Sequence, residues 1–217
     1  MTNPAYRVFA EYIEQHSSPE PEYLQVIARS TYLHAVNPHM LSGHVQGRLL
    51  ALLSRMIRPK RILEIGTYTG YSALCLAEGL TAEGRLLTIE RNDELEDRIR
   101  GNLSLSALGQ HIDLKIGNAC EIIPSLPPDE RFDLIFIDGD KREYSQYLTA
   151  IQDRLTDAGW ILADNTLWDG HIVDSAYDRD AQTKGLRAFN DLVAHDSKWE
   201  KVIVPIRDGL TIITRKS

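Results

Sequence analysis

From residue 61 onward, short apolar runs alternate with stretches whose apolar residues recur at helical spacing. This is the signature of repeated βα units around a parallel sheet. The runs Arg61–Ile65, Arg85–Glu90, Ile112–Gly117, Phe132–Asp138 and Gly159–Asp164 read as strands. Helical spacing lies between them over Tyr71–Gly79, Asp93–Leu108 and Glu143–Leu155, and again near Gly185–His195. The last third changes character. Trp199–Pro205 and Leu210–Arg215 are β-rich and are joined across Arg207-Asp208-Gly209, an Asp-Gly turn signal that predicts a final strand antiparallel to its neighbour. Pro205 suits a strand end. Ahead of this pattern, residues 1–58 carry three helical candidates, including Ala5–His16 and Leu49–Ile57, separated by the turn-rich Ser17–Pro21. The expected architecture is one α/β domain over residues 1–217. Residues 61–217 form a doubly wound core and residues 1–58 a helical cover.

Composition narrows the function classes. With 217 residues, 43% apolar and 25% charged, the chain can bury a core without staples. A net charge of -7 with scattered cations offers no field for a phosphate backbone, so nucleic acid is not an expected partner. Cys75 and Cys120 are the only cysteines and lack metal-ligand spacing. No apolar run approaches a membrane span, and the N-terminus lacks the pattern of an export signal, which makes a reducing, cytoplasmic setting the expectation.

Candidate chemistry sits at the strand ends. Asp138-Gly139-Asp140-Lys141 follows one strand and Asp164-Asn165 the next. Either pair alone is also an ordinary turn or helix cap. Together, Asp138, Asp164 and Asn165 are hard oxygen donors that suit Mg²⁺, or Ca²⁺ or Mn²⁺, better than zinc. Lys141 stands where it can take a proton. In an open parallel sheet, ligands gather beyond the carboxyl ends of the strands. The same rim receives Glu64-Ile65-Gly66-Thr67-Tyr68-Thr69-Gly70, a strand-to-helix turn with amides to present. Tyr68 occupies the place where a dinucleotide fold wants a second glycine, which favours a cofactor without a pyrophosphate. Glu90 ends the following strand and reads as a ribose acceptor. Glu64 suits a cationic amino acid moiety, and Asn118-Ala119 an adenine boundary. The histidines have no ligand spacing, and His39, His44 and His171 are expected to pack or hydrogen-bond, with His44 and Trp168 possible borders of a substrate pocket. Met40, Ser42 and Gly47 are further candidates to touch the cofactor.

Three segments, Leu63–Ser72, Phe136–Lys141 and Ala163–Trp168, occur in the order found in class I, cation-dependent O-methyltransferases, the catechol and caffeoyl-coenzyme A group. The chain resembles that family over about residues 38–217. The resemblance implies a Rossmann-like seven-stranded sheet with its last strand antiparallel, a homodimer, and S-adenosylmethionine as methyl donor. It implies cofactor contacts from Ser42, Glu64, Gly66, Thr67, Ser72, Glu90, Ala119 and Asp140, with Tyr147 as a further one. It implies Asp138, Asp164 and Asn165 as metal ligands and Lys141 as base. Two positions depart from the plant coenzyme A enzymes, Glu11 in place of a lysine and Asp169 in place of an asparagine. Added carboxylates repel phosphates, so a catechol-like or phenylpropanoid-like phenol is the expected acceptor. The rival readings are an NAD-dependent oxidoreductase and a non-catalytic S-adenosylmethionine-binding protein.

Overall fold

The computed structural model describes residues 4–216, with side chains from residue 8 onward. Seven strands form one sheet in the order β3-β2-β1-β4-β5-β7-β6. They are β1 Arg61–Ile65, β2 Arg85–Glu90, β3 Ile112–Ile116, β4 Phe132–Ile137, β5 Leu155–Ala163, β6 Trp199–Val204 and β7 Leu210–Arg215. All pairings are parallel except those of β7, which runs antiparallel to both β5 and β6. The Asp-Gly turn therefore does reverse the final strand. Order reverses at β1, with β2 on one side and β4 on the other, and this is the switch point where such sheets bind ligands.

Alternation along the strands divides the core into two layers. Leu63, Ile65, Ile135, Ile137 and Ile161 face one way, against Tyr144, Leu148, Leu186 and Phe189. Ile62, Leu134, Phe136 and Leu162 face the other, against Leu24, Ile27, Leu50 and Leu74. The first layer is covered by α6 (Ala119–Ser125), α7 (Tyr144–Ile151) and α8 (Ala181–His195). The second is covered by α2 (Glu22–His34), α3 (His44–Ile57), α4 (Tyr71–Ala77) and α5 (Glu96–Leu103), with α1 (Pro4–Gln15) outside them against α3. The expected helical cover thus forms part of one layer.

Several expected bounds differ: α3 starts at His44 rather than Leu49, and α7 ends at Ile151, followed by a 3₁₀ turn at Gln152–Arg154. The stretch Asp93–Leu108 is a 3₁₀ turn at Asp93–Leu95, then α5, then a second 3₁₀ segment at Ala107–His111. Side chains of Asn92 and Ser106 take the amides of Glu94 and Leu108, and these local bonds compete with a continuous helix. β5 starts at Leu155 rather than Gly159, but the ladder with β4 is irregular until Leu134 meets Trp160.

Candidate active site

A cleft of about 760 Å³ opens beyond the carboxyl ends of β1, β2, β4 and β5. Ser42, Gly66, Thr67, Ser72, Glu90, Ala119, Asp138, Asp140, Lys141, Tyr147, Asp164 and Asn165 all line it. Of the residues singled out from the sequence as cofactor, metal or catalytic groups, Glu64 and Gly47 stand outside the lining.

The turn after β1 is built by left-handed backbone at Gly66 (φ 95°), Tyr68 (φ 53°) and Gly70 (φ 82°). Gly66 is glycine for a second reason. A Cβ there would lie 2.3 Å from the carbonyl oxygen of Asp138, so the ends of β1 and β4 can meet only without a side chain. Glu90 has a structural task beside any ligand contact. One carboxylate oxygen accepts the amides of Thr67 (3.2 Å) and Tyr68 (2.8 Å), and the other accepts that of Asn92 (2.8 Å). These charge-assisted bonds fix the turn while the carboxylate still borders the cleft. Glu64 is fully buried, with the hydroxyls of Ser72 and Thr88 each donating to it at 2.6 Å. Burial pushes its carboxyl up to about 8, against the two hydroxyl bonds that favour the ionised form.

On the β4 side, Asp140 caps the 3₁₀ turn that follows, accepting the amide of Arg142 at 3.0 Å, and the Arg142 guanidinium holds its carboxyl below the ordinary value. The Tyr147 hydroxyl accepts the Asp140 amide (3.3 Å) and donates to Glu143 (2.7 Å). Lys141 donates from Nζ to Asp138 Oδ1 (2.8 Å) and to the Gly139 carbonyl (3.2 Å). That ammonium lies 5.5 Å from the ring centre of Tyr144 and 5.9 Å from that of Trp168.

Asp164, at the end of β5, is 4% exposed. Its Oδ1 accepts the amide of Asn165 at 2.8 Å, and its Oδ2 accepts Nε2 of Gln46 at 2.6 Å. The Tyr144 hydroxyl ties the backbone by donating to the carbonyl of Asp164 (3.1 Å). Burial first, and then the nearby Asp138 carboxylate, push the Asp164 carboxyl up to about 7. Two carboxylates are thus held together with Lys141 offsetting one of them, and such a site is stabilised by a further positive charge. Among the described residues no three His, Cys, Asp or Glu side chains form a metal cluster, and the oxygens on this part of the cleft wall come from the Asp138 and Asp164 carboxylates and the Asn165 amide. Those are hard oxygens, and they fit a hard divalent cation rather than zinc.

The loop after Asp164 has left-handed backbone at Asn165, Trp168, Asp169 and Gly170. The β6–β7 turn supports it, with the Asp208 carbonyl accepting the amides of Leu167 (2.7 Å) and Trp168 (3.1 Å). The same turn supports the opposite wall. Arg207 donates to the carbonyls of His39 (3.2 Å), Leu41 (2.6 Å) and Ser42.

Some expectations about secondary residues need correction. His44 lies outside the cleft lining and bonds the Ser18 carbonyl at 2.6 Å. Gly47 also lies outside it, where a Cβ would come 2.8 Å from the Tyr71 ring, so its role is close packing of α3 on α4. His171, by contrast, stacks on Tyr177 with ring centres 3.5 Å apart, the packing role expected of it. Met40 and Trp168 do border the cleft. Gln46 and Arg207 were not legible, because each finds its partners more than a hundred residues away in the chain.

Residues 14–216 match the O-methyltransferase family. Caffeoyl-CoA O-methyltransferase 2 of Eucalyptus globulus is 33% identical over 210 residues, covering 91% of this chain and 83% of the relative. Among solved structures, the O-methyltransferase TomG of Streptomyces achromogenes, in complex with SAM, superposes with a TM-score of 0.89 at 27% identity, over 100% of both chains. The SAH-bound methyltransferase PaMTH1 of Podospora anserina gives 0.89 at 26% identity, over 100% of this chain and 97% of that one. The chain belongs to the O-methyltransferase family and is an enzyme of that activity.

Proposed function

We propose that this O-methyltransferase moves the methyl group of S-adenosylmethionine onto one hydroxyl of a catechol-like or phenylpropanoid-like small molecule. A divalent cation, Mg²⁺ ahead of Ca²⁺ or Mn²⁺, would be held by Asp138, Asp164 and Asn165. The observation that carries this reading is convergence: these oxygens and Lys141 share one cleft with the Gly66–Gly70 turn and Glu90. A cation there supplies Lewis acidity toward an acceptor oxygen, and S-adenosylmethionine supplies an already activated methyl group. The protein's work is therefore placement. Gly66 and Thr67 offer a close backbone approach, Glu90 and Ser42 border the donor's place, and Ala119, Asp140 and Tyr147 bound its far end. Glu64 acts on the donor through Ser72, whose hydroxyl it orients. Lys141, held beside Asp138 and the Gly139 carbonyl, is placed to receive the hydroxyl proton as the neutral amine, after its ammonium has given up a proton to solvent. Trp168 shields the acceptor side from water.

Family membership sets aside the oxidoreductase and the non-catalytic reading. The curated relative named above is a caffeoyl-CoA enzyme, but Asp169, next in the chain to Trp168 of the cleft wall, disfavours a phosphate-bearing acceptor here. Glu11 lies on α1, which adds no described residue to the cleft lining. A homodimer is proposed as well, with Phe9, Tyr12, Val26, Leu33, Leu52 and Met56 exposing apolar surface on α1, α2 and α3 for a second copy. The proposed setting is the cytoplasm; among the described residues no helix is long and apolar enough to cross a membrane.

The test is methyl transfer from labelled S-adenosylmethionine to catechols, phenylpropanoids and a coenzyme A ester, with and without a chelator. Asp138→Ala and Asp164→Ala should abolish turnover and leave S-adenosylmethionine affinity within about threefold, because the donor's contacts lie elsewhere in the cleft. Turnover that survives both the chelator and these substitutions would refute the metal assignment.

A further inference from the structure

A buried glutamine joins the helical cover to the proposed metal site. Gln46 lies on α3, is 1% exposed, and spends its side-chain donor on Asp164 Oδ2 at 2.6 Å. The other oxygen of the same carboxylate takes the Asn165 amide at 2.8 Å. Each oxygen is therefore held by one donor from the protein and keeps a further lone pair. The carboxylate is clamped against rotation yet remains on the cleft wall. The clamp is itself rigid. Next to Gln46, Gly47 lets α3 press onto Tyr71 and Cys75 of α4, where a Cβ would come within 2.8 and 3.0 Å. That contact fixes the stretch of α3 backbone from which the Gln46 side chain reaches Asp164.

The residue type matters as much as its place. A lysine or arginine at this position would hold Asp164 and also cancel the charge that attracts a cation. A leucine would leave a buried carboxylate oxygen without a donor. A neutral amide donor orients the ligand and leaves its charge available, which is what outer contacts to metal-ligating carboxylates supply.

We propose that Gln46 is a positioning residue for Asp164, orienting that carboxylate toward a divalent cation from the far side of the cleft wall. The inference rests on the reading of Asp164 as a metal ligand. Through Gln46, the same helix that follows the Ser42 segment at the donor side also sets the geometry at the acceptor side.

The test is direct Mn²⁺ binding to the full chain without acceptor, measured by water-proton relaxation or calorimetry, beside S-adenosylmethionine affinity and thermal unfolding. Gln46→Met keeps the length and volume of the side chain and removes the donor. Gln46→Asn keeps an amide but withdraws it by one methylene. Both are expected to weaken Mn²⁺ affinity by about 10- to 100-fold while S-adenosylmethionine affinity stays within about twofold. Asp138→Ala serves as the reference. If Asp138→Ala loses Mn²⁺ and both Gln46 variants retain it, the positioning role is wrong and the metal site stands. If Asp138→Ala binds Mn²⁺ like the wild type, the metal reading falls and this inference falls with it. A parallel loss of Mn²⁺ affinity, S-adenosylmethionine affinity and melting temperature in both variants would assign Gln46 a purely structural role and overturn the proposal. Should Gln46→Met fail to fold, Gln46→Asn carries the same readings.

Discussion

Replacing Gly66 by alanine tests whether the cofactor turn and the β4 strand end are one mechanical unit. Gly66 sits at φ 95°, a region in which an L side chain is strained, at a cost of about 1–3 kcal/mol. The new Cβ would also meet backbone, at 2.3 Å from the Asp138 oxygen, 2.7 Å from the Asp138 carbonyl carbon and 3.0 Å from the Gly139 nitrogen. Backbone cannot swing aside as a side chain does. Both partners are pinned, since the Gly66 amide donates to Ile89 at 2.9 Å and the Asp138 amide to Ile65 at 2.8 Å. Forced overpacking of this kind adds about 1–3 kcal/mol. The total is about 2–6 kcal/mol, and for a chain of this size each kcal/mol lowers Tm by about 2–4 °C. The Tm of Gly66→Ala should therefore fall by about 4–24 °C.

The functional consequence separates this variant from a simple loss of stability. Because the displaced group is the Asp138 backbone, Gly66→Ala should weaken S-adenosylmethionine and Mn²⁺ binding together when both are measured well below its Tm. Asp138→Ala should weaken Mn²⁺ alone. A Gly66→Ala protein that melts within about 2 °C of the wild type, or that loses donor affinity with Mn²⁺ affinity intact, would refute the claimed contact between the two strand ends.

Three further outcomes follow from the same geometry. Glu64 has a folded value pushed up to about 8 from an ordinary 4.5, so the folded protein holds its proton more tightly than the unfolded chain does. The stability this gives is fully present below pH 4.5 and is lost as the pH rises through about 8; denaturant melts at pH 5 and pH 9 should show Glu64→Gln removing a few kcal/mol of that pH dependence. Arg207→Ala releases the His39, Leu41 and Ser42 carbonyls and is expected to raise the KM for S-adenosylmethionine by about tenfold with a smaller change in kcat, measured at saturating acceptor. Arg187 ties the loop after Trp168 by donating to the carbonyls of His171 (3.0 Å), Ile172 (2.8 Å) and Asp174 (2.9 Å), so Arg187→Ala should raise the acceptor KM and leave donor affinity by calorimetry unchanged.

Which parts of this arrangement were legible in the sequence depends on the range of the interaction that fixes each. Strands buried on both faces are continuous apolar runs, and their bounds at β1, β2 and β7 coincide with those read from the chain. Parallel connection then sends every strand's carboxyl end to one rim, so Asp138, Asp164 and Glu90 could be brought together without coordinates. Helix bounds were less legible, because Asn92 and Ser106 break the stretch Asp93–Leu108 through local bonds that apolar spacing does not register. Gln46 and Arg207 carry no pattern at all, since a buried amide and a carbonyl-binding guanidinium are defined only by what tertiary packing sets opposite them.

The burial of Glu64 is written in the alternation of its strand. Alternation along β1 puts Glu64 on the same face as Ile62, the face covered by α3 and α4, and opposite to Leu63 and Ile65. A carboxylate on that face must find donors within the layer, and a serine two residues past Gly70 in the next helix is in place to be one. The observed bonds from Ser72 and Thr88 meet that requirement. Glu64 pairs with Thr88 across β1 and β2, so Glu64 and Glu90 share a face, and position along the strand separates them: Glu90 ends its strand and can touch a ligand directly, while Glu64 lies inside its strand and acts through a hydroxyl. If that distinction is right, Ser72→Ala should leave Glu64 with one donor fewer, raise its folded value further, and move the pH-dependent loss of stability upward in the same denaturant melts.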